Sequence, residues 1–203
     1  MPLLSLDHVS AGYGEAGSVL LDVSLQLERG EQVAVIGGNG EGKTTLLKVA
    51  AGLLKPRRGT CVYTGESNPA FIYQVPSQQL ICASAREEVE FTLRINGVDE
   101  SLVESRAEEL LSEFQLTAFA SRSPRTLSGG QQQRLTLAAT LCRSPELLLL
   151  DEPDAFLDCA SRREFRSFFS QHVRAAVIWV VCRESELPQD MRVYRLKNGV
   201  MSS

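Results

Sequence analysis

Nowhere is this chain apolar for long enough to cross a bilayer, which takes about 20 residues. The start, Met1–Val9, lacks the charged opening and long apolar stretch of a secretion signal. The expectation is a cytosolic protein unless a partner holds it at a membrane. Paired cysteines are missing too: Cys61, Cys82, Cys142, Cys159 and Cys182 stand far apart, with no C-x-x-C among them. That argues against a zinc or disulfide framework and for buried free thiols in a reducing compartment, Cys61 and Cys182 lying in apolar, strand-like runs. Basic charge is not in excess. With 21 Lys and Arg against 25 Asp and Glu the formal net charge is -4, which leaves no footprint for nucleic acid. Short basic clusters such as Lys55, Arg57 and Arg58 read as solvated loop charge. No internal repeat, linker or low-complexity tract is present. The remainder is ordinary for a globular protein: 203 residues, 43% hydrophobic, enough for one core with a subsidiary lobe.

Leu3–Val9 alternates apolar and polar residues as a half-buried strand does. A turn with Gly12, Gly14 and Gly17 leads to a second strand-like run, Val19–Leu27. Gln32–Ile36 is a short apolar run that enters a glycine cluster and emerges as a helix, Lys43–Ala51, ended by Gly52. Thr60–Tyr63 and Phe71–Tyr73 read as further strands, and the alternation predicts an α/β core with a largely parallel sheet. Arg86–Ile95 and Leu102–Phe114 instead carry apolar residues at helical spacing with no strand between them. Strand character returns in the four leucines Leu147–Leu150. A helix over Arg162–Val173, a very apolar strand Ala175–Val181, and Val193–Leu196 turning at Asn198-Gly199 complete the chain.

Gly37-Gly38-Asn39-Gly40-Glu41-Gly42-Lys43-Thr44 fits G-x-x-x-x-G-K-[ST], with a strand before it and a helix behind. Glycines let successive backbone N–H groups curl around a phosphate. The helix start adds partial positive charge, Lys43 neutralises β- and γ-phosphates, and the Thr44 hydroxyl ligates Mg²⁺. Glu41 departs from the small neutral residue usual at that point and is expected to face outward. Leu147–Leu150 ends in Asp151 and Glu152, an acidic strand end of the Walker B form. Asp151 is placed to hold Mg²⁺, and Glu152 to orient and deprotonate an attacking water.

Leu127-Ser128-Gly129-Gly130-Gln131, followed by Gln132-Gln133-Arg134 and an apolar-striped helix, resembles the signature motif of the ABC (ATP-binding cassette) ATPases. The resemblance runs through essentially the whole chain. It implies a P-loop NTPase (RecA-like) α/β core with a small antiparallel β region and an inserted helical subdomain. The single domain would span residues 1–203, with the core at 1–75 and 145–203 and the helical part at about 76–144. It implies ATP and Mg²⁺ as ligands, held by Gly37–Thr45, and a nucleotide-sandwich dimer. Ser128, Gly129, Gly130 and Gln131 would grip the γ-phosphate of the opposite subunit's ATP. Tyr13 resembles the aromatic that stacks on adenine. Gln74 resembles the Q-loop glutamine that meets Mg²⁺ and the attacking water, and Asp158 the terminal acid of the D-loop.

Tyr73-Gln74-Val75-Pro76-Ser77-Gln78-Gln79-Leu80 and then Ala85-Arg86-Glu87-Glu88-Val89-Glu90-Phe91 are similar to ATPases of energy-coupling factor (ECF) transporters. That likeness implies uptake of a vitamin or metal ion with integral membrane subunits, one of which sets a coupling helix in a groove at the Q-loop. The chain would be peripheral, on the cytoplasmic face of the membrane. The chain also stops soon after Gly199, short of the C-terminal extension many such ATPases use for dimer contacts.

Where the family pattern has a switch histidine, this chain reads Val181-Cys182-Arg183-Glu184. Aligned on the acid, Arg183 takes the histidine's place and can hold a γ-phosphate without relaying a proton; shifted by one, Cys182 does. His8 and His172 lie too far away in sequence to substitute and read as surface or strand-edge residues. Phe156 is bulky for its D-loop position. These departures predict slow hydrolysis at the chain's own site and favour a heterodimer with a second ABC ATPase over a homodimer. Two other classes compete with transport. A soluble ABC protein of DNA repair or translation is disfavoured by the acidic charge and the lack of a coiled-coil insertion. A regulatory nucleotide-binding module is suggested only by the missing histidine.

Overall fold

The computed structural model describes residues 1–14, 17–186 and 191–202; Ser203, the end of the expected domain, lies outside them. The chain forms two compact units, one of residues 1–71, 145–152 and 174–203, the other of residues 72–144 and 153–173. The helical unit thus takes in 153–173 as well as the segment expected from sequence.

The first unit begins with β1 (Leu4–Ala11), β2 (Leu20–Leu27), β3 (Gln32–Ile36), α1 (Lys43–Ala50) and β4 (Arg58–Tyr63). β2, β1 and β4 make an antiparallel sheet with β1 in the middle. Its pleat places Leu20, Val23, Leu25 and Leu27 inward, which is why the run alternates. The register slips between Leu6 and Val9, where His8 adopts φ 50° opposite Asp22 at φ 58°, and their side chains bond at 2.7 Å.

The larger sheet adds β5 (Ala70–Ile72), β6 (Leu147–Asp151), β7 (Ala176–Val181), β8 (Arg192–Lys197) and β9 (Val200–Ser202), in the order β5-β6-β7-β3-β8-β9. β6, β7, β3 and β8 pair in parallel; β9 returns antiparallel. Every residue of β6 and β7 is buried, so both read as unbroken apolar runs. Leu46, Leu47 and Val49 of α1 share one core with Val33, Val35, Leu149, Ile178 and Val180, joined by Leu4, Leu6 and Leu25. Each such side chain contributes about 1.5–3 kcal/mol by leaving water. Parallel pairing brings the carboxyl ends of β3, β6 and β7 to one edge, where ligands of open α/β sheets collect.

The second unit carries α2 (Ala85–Ile95), α3 (Glu100–Glu113), α4 (Gly129–Leu141) and α5 (Cys159–His172). Polar caps set their starts. Ser84 accepts from the Glu87 N–H, Asp99 from the Ser101 N–H, and Asp158 from those of Ala160 and Ser161. α3 and α5 consequently begin at Glu100 and Cys159, ahead of the expected Leu102 and Arg162. His172 is no surface residue: its ring stacks on Phe168 at 3.9 Å and lies 5.3 Å from Phe114. All five cysteines are free, and none is fully buried, contrary to the expectation of buried thiols. Burial still pushes the Cys142 thiol up to about 12.

Candidate nucleotide site

β3 delivers the chain into the glycine loop, and the Gly37 N–H donates to the Val181 carbonyl at 3.1 Å. Gly42 caps α1 with φ 102°, and a Cβ there would stand 2.9 Å from Leu20 Cδ2. No side chain caps this helix and its first turn holds no acid, so its leading N–H groups face the loop's interior as anion donors. Lys43 is buried, and its ammonium donates to the Gly37 and Gly38 carbonyls at 2.8 and 2.9 Å. The same nitrogen lies 3.1 Å from Glu152 Oε1.

Thr44 and Asp151 meet across the site, the hydroxyl donating to Oδ2 at 2.7 Å. Burial lifts the Asp151 carboxyl above its ordinary value, against the Thr44 hydrogen bond and with the push of Glu152. Two hard oxygens this close suit Mg²⁺, which fills its octahedron with phosphate oxygens and water rather than an all-protein cage. No cluster of three or more His, Cys, Asp or Glu suited to a metal occurs among the described residues. Glu152 follows with φ 47°, the kind of backbone strain that clusters at working sites, and its N–H donates to the Val180 carbonyl at 3.2 Å.

Cys182, one step beyond β7, reaches this cluster. Its Sγ lies 2.8 Å from Glu152 Oε1, 3.0 Å from Asn39 Oδ1 and 3.2 Å from Lys43 Nζ. Burial, together with Glu152, raises its thiol above the ordinary value while Lys43 opposes this, so the S–H is retained. Arg183, the residue expected at this place, is instead exposed, and its backbone N–H donates to Glu186. Register is the reason. Ile36 pairs with Val181 and Asp151 with Val180, so the residue after Val181 lies beside Gly37 and Glu152.

Tyr13 is 45% exposed, leaving a ring face available for a base. Its hydroxyl accepts from Thr45 at 3.4 Å, and the Lys48 ammonium sits 5.3 Å from the ring centroid. Thr45 itself is buried, and its hydroxyl is directed to the Tyr13 hydroxyl. Arg57, read as solvated charge, donates to the Gly14 carbonyl and ties down the Tyr13 turn. Glu41, expected to face outward, is half-buried, its carboxylate accepting the Asn198 backbone N–H.

In the helical unit, Gln74 follows β5 and is half-buried. The nearby Gln79 accepts the Tyr73 N–H at 2.8 Å and so closes the Q-loop turn. Buried Glu88 accepts from the Ile81 and Cys82 N–H groups, both at 2.8 Å, so the E-E-V pattern pins the post-Q-loop segment to α2. Ser128 and Gln131 form a capping box at the start of α4. Ser128, Gly130 and Gln131 line an open recess with Ser161 and Arg134. Asp158 is engaged as the cap of α5, accepting from Ala160 and Ser161 N–H groups at 2.9 and 2.8 Å, and those bonds hold its carboxyl below the ordinary range. Sequence reading missed Asp154, a buried acid bonded to Arg166 Nε at 2.6 Å; an acid next to a D-loop proline carries no local signal of that pairing.

Comparison with known proteins agrees with this geometry. Residues 20–155 match the family model described as ABC transporter. The chain is 38% identical over 208 residues to the energy-coupling factor transporter ATP-binding protein EcfA1 of Thermotoga maritima, covering 98% of this chain and 80% of that protein. To EcfA of Methanothermobacter thermautotrophicus it is 34% identical over 169 residues, covering 77% of this chain but only 54% of that protein. In fold it resembles cbiO1 from Clostridium perfringens, described as part of the ABC transporter complex cbiONQ, with TM-score 0.88 and 25% identity over 100% of this chain and 87% of that one.

Proposed function

Since the chain belongs to the ABC transporter family of ATP-binding proteins, we propose that it binds and hydrolyses ATP as one half of a nucleotide-sandwich dimer, and thereby drives ECF-type uptake of a vitamin or metal ion. The observation that carries this reading is the meeting of Lys43, Thr44, Asp151 and Glu152 at the ends of β3 and β6. Lys43 is held by loop carbonyls and by Glu152, and one ammonium cannot serve those partners and a triphosphate at full strength. When phosphates take Lys43, Glu152 is released to orient a water and accept its proton. Thr44 and Asp151 would hold magnesium, which would supply positive charge against the phosphates.

Turnover at this chain's own site is slow. A thiol, Cys182, stands against Glu152 and Lys43 where relatives of this family carry an imidazole, and a neutral thiol neither takes up nor relays a proton at neutral pH. Ser128–Gln131 remains able to complete a partner's site, which favours a second, different ATPase. Phe156 is exposed and would lie in that shared interface. Ile81, Phe91 and Ile95, which follow the Q-loop in sequence, are exposed apolar residues suited to an apolar helix from an integral membrane subunit. No helix among the described residues is long and apolar enough to cross a membrane; the integral membrane subunits would hold the chain at the cytoplasmic face.

The test is isolation of the tagged chain from detergent extracts. Polytopic membrane proteins and a second ATPase should co-purify, and Lys43→Ala should abolish ATP binding without releasing them. A chain recovered alone that hydrolyses ATP briskly contradicts both the slow site and the heterodimer.

A further inference from the structure

We propose that Glu41 is a positioning residue: it braces the outer side of the phosphate loop against the β8–β9 hairpin and so holds the loop in its nucleotide-binding shape. This rests on the reading that nucleotide phosphates occupy Gly37–Thr44. The Glu41 side chain runs along the outside of the loop, its Cβ 3.5 Å from where a Gly37 Cβ would stand and its Cγ 3.6 Å from that of Gly38. Its carboxylate then accepts the backbone N–H of Asn198.

The hairpin it reaches is itself rigid. Asn198 and Gly199 take φ 49° and 76°, the left-handed pair of a tight two-residue hairpin turn. The Leu21 N–H donates to the Gly199 carbonyl at 2.8 Å, and a Cβ on Gly199 would stand 2.2 Å from the Val19 carbonyl oxygen. Gly37 is equally tight against β8, a Cβ there falling 2.6 Å from the Leu196 carbonyl oxygen. The loop is therefore gripped from two sides, by Lys43 on the Gly37 and Gly38 carbonyls and by Glu41 on the hairpin. Phosphate binding draws Lys43 away, and the Glu41 brace persists. An acid so near a triphosphate lowers affinity by Coulomb repulsion. Aimed at Asn198, its carboxylate instead makes a charge-assisted hydrogen bond to the hairpin.

Positioning and plain charge predict opposite signs, which makes the test decisive. ATP affinity and amide exchange at Asn198 are measured for the wild-type chain, Glu41→Ala and Glu41→Gln. Glu41→Ala should weaken ATP binding about five- to tenfold and deprotect the Asn198 amide. Glu41→Gln keeps an acceptor oxygen, so it should retain protection and bind at least as tightly as wild type. Tighter binding by both variants, or a lowered Tm with unchanged affinity in Glu41→Ala, overturns the proposal. Should the alanine form fail to fold, loss of protection or affinity in Glu41→Gln does the same. A wild-type chain that binds no nucleotide overturns the nucleotide reading and this proposal together, whereas wild-type binding with an indifferent Glu41→Ala overturns the brace alone.

Discussion

Replacing Cys182 removes one sulfur that touches three parts of the site, at 2.8 Å from Glu152 Oε1, 3.0 Å from Asn39 Oδ1 and 3.2 Å from Lys43 Nζ. A thiol is a weak donor, so its bond to the carboxylate is worth about 1 kcal/mol. Neither charge is stranded by the loss. Lys43 keeps its carbonyl partners at 2.8 and 2.9 Å and Glu152 at 3.1 Å. Losing about 1 kcal/mol from the transition state slows kcat about fivefold, which is the expectation for Cys182→Ala. Cys182→His supplies an imidazole able to exchange protons at neutral pH and should raise kcat about tenfold or more. The assay is steady-state phosphate release by the purified complex between about pH 6 and about pH 9. Burial and Glu152 hold the wild-type thiol above its ordinary value, so Cys182 stays protonated through neutral pH, where the histidine variant gains a step at about pH 6.5. Rates indifferent to both substitutions at Cys182, with a large loss in Arg183→Ala, would refute this and put Arg183 at the phosphate.

Gly42→Ala forces a Cβ onto a residue at φ 102°, 2.9 Å from Leu20 Cδ2, and should cost about 1–3 kcal/mol in urea unfolding and abolish ATP binding. Arg166→Ala removes the nearest cation from the buried Asp154 carboxylate and leaves Arg162 beside it at 3.9 Å. Since the Arg166 side chain is 23% exposed, the loss should be about 2 kcal/mol, below that of a fully buried pair, and adding Asp154→Asn should recover part of it. Asp158 has its folded pKa depressed, chiefly by the Ser161 N–H, so the stability it gives is present above its unfolded value, about 3.9, and is lost as pH falls through the lower folded one. Asp158→Asn still caps α5 but should flatten that part of the acid limb in thermal melts below about pH 5.

Much of the fold was legible because its signals are local. β6 and β7 are continuous apolar runs since both faces are covered, and β2 alternates because only one is. Helix starts were read too late at α3 and α5, where apolar spacing begins after the capping residues Asp99 and Asp158. Lone polar residues were the least legible. Nothing near Glu88 or Gln79 announces that they accept backbone N–H groups from the segments beside the Q-loop, and nothing near Arg57 points to Gly14. Such pairings depend on which loops meet in space.

From sequence alone came the phosphate loop, the acidic strand end and the signature-like stretch Ser128–Gln131, because each needs fixed residue types at fixed spacing within one turn or strand. Tertiary structure decided what spacing cannot reach. Parallel pairing of β7 with β3 and β6 selects Cys182 over Arg183 as the neighbour of Glu152, since a one-residue shift in register moves a side chain to the other side of the strand. The approach of the β8–β9 hairpin likewise gives Glu41 its partner, 157 positions away along the chain.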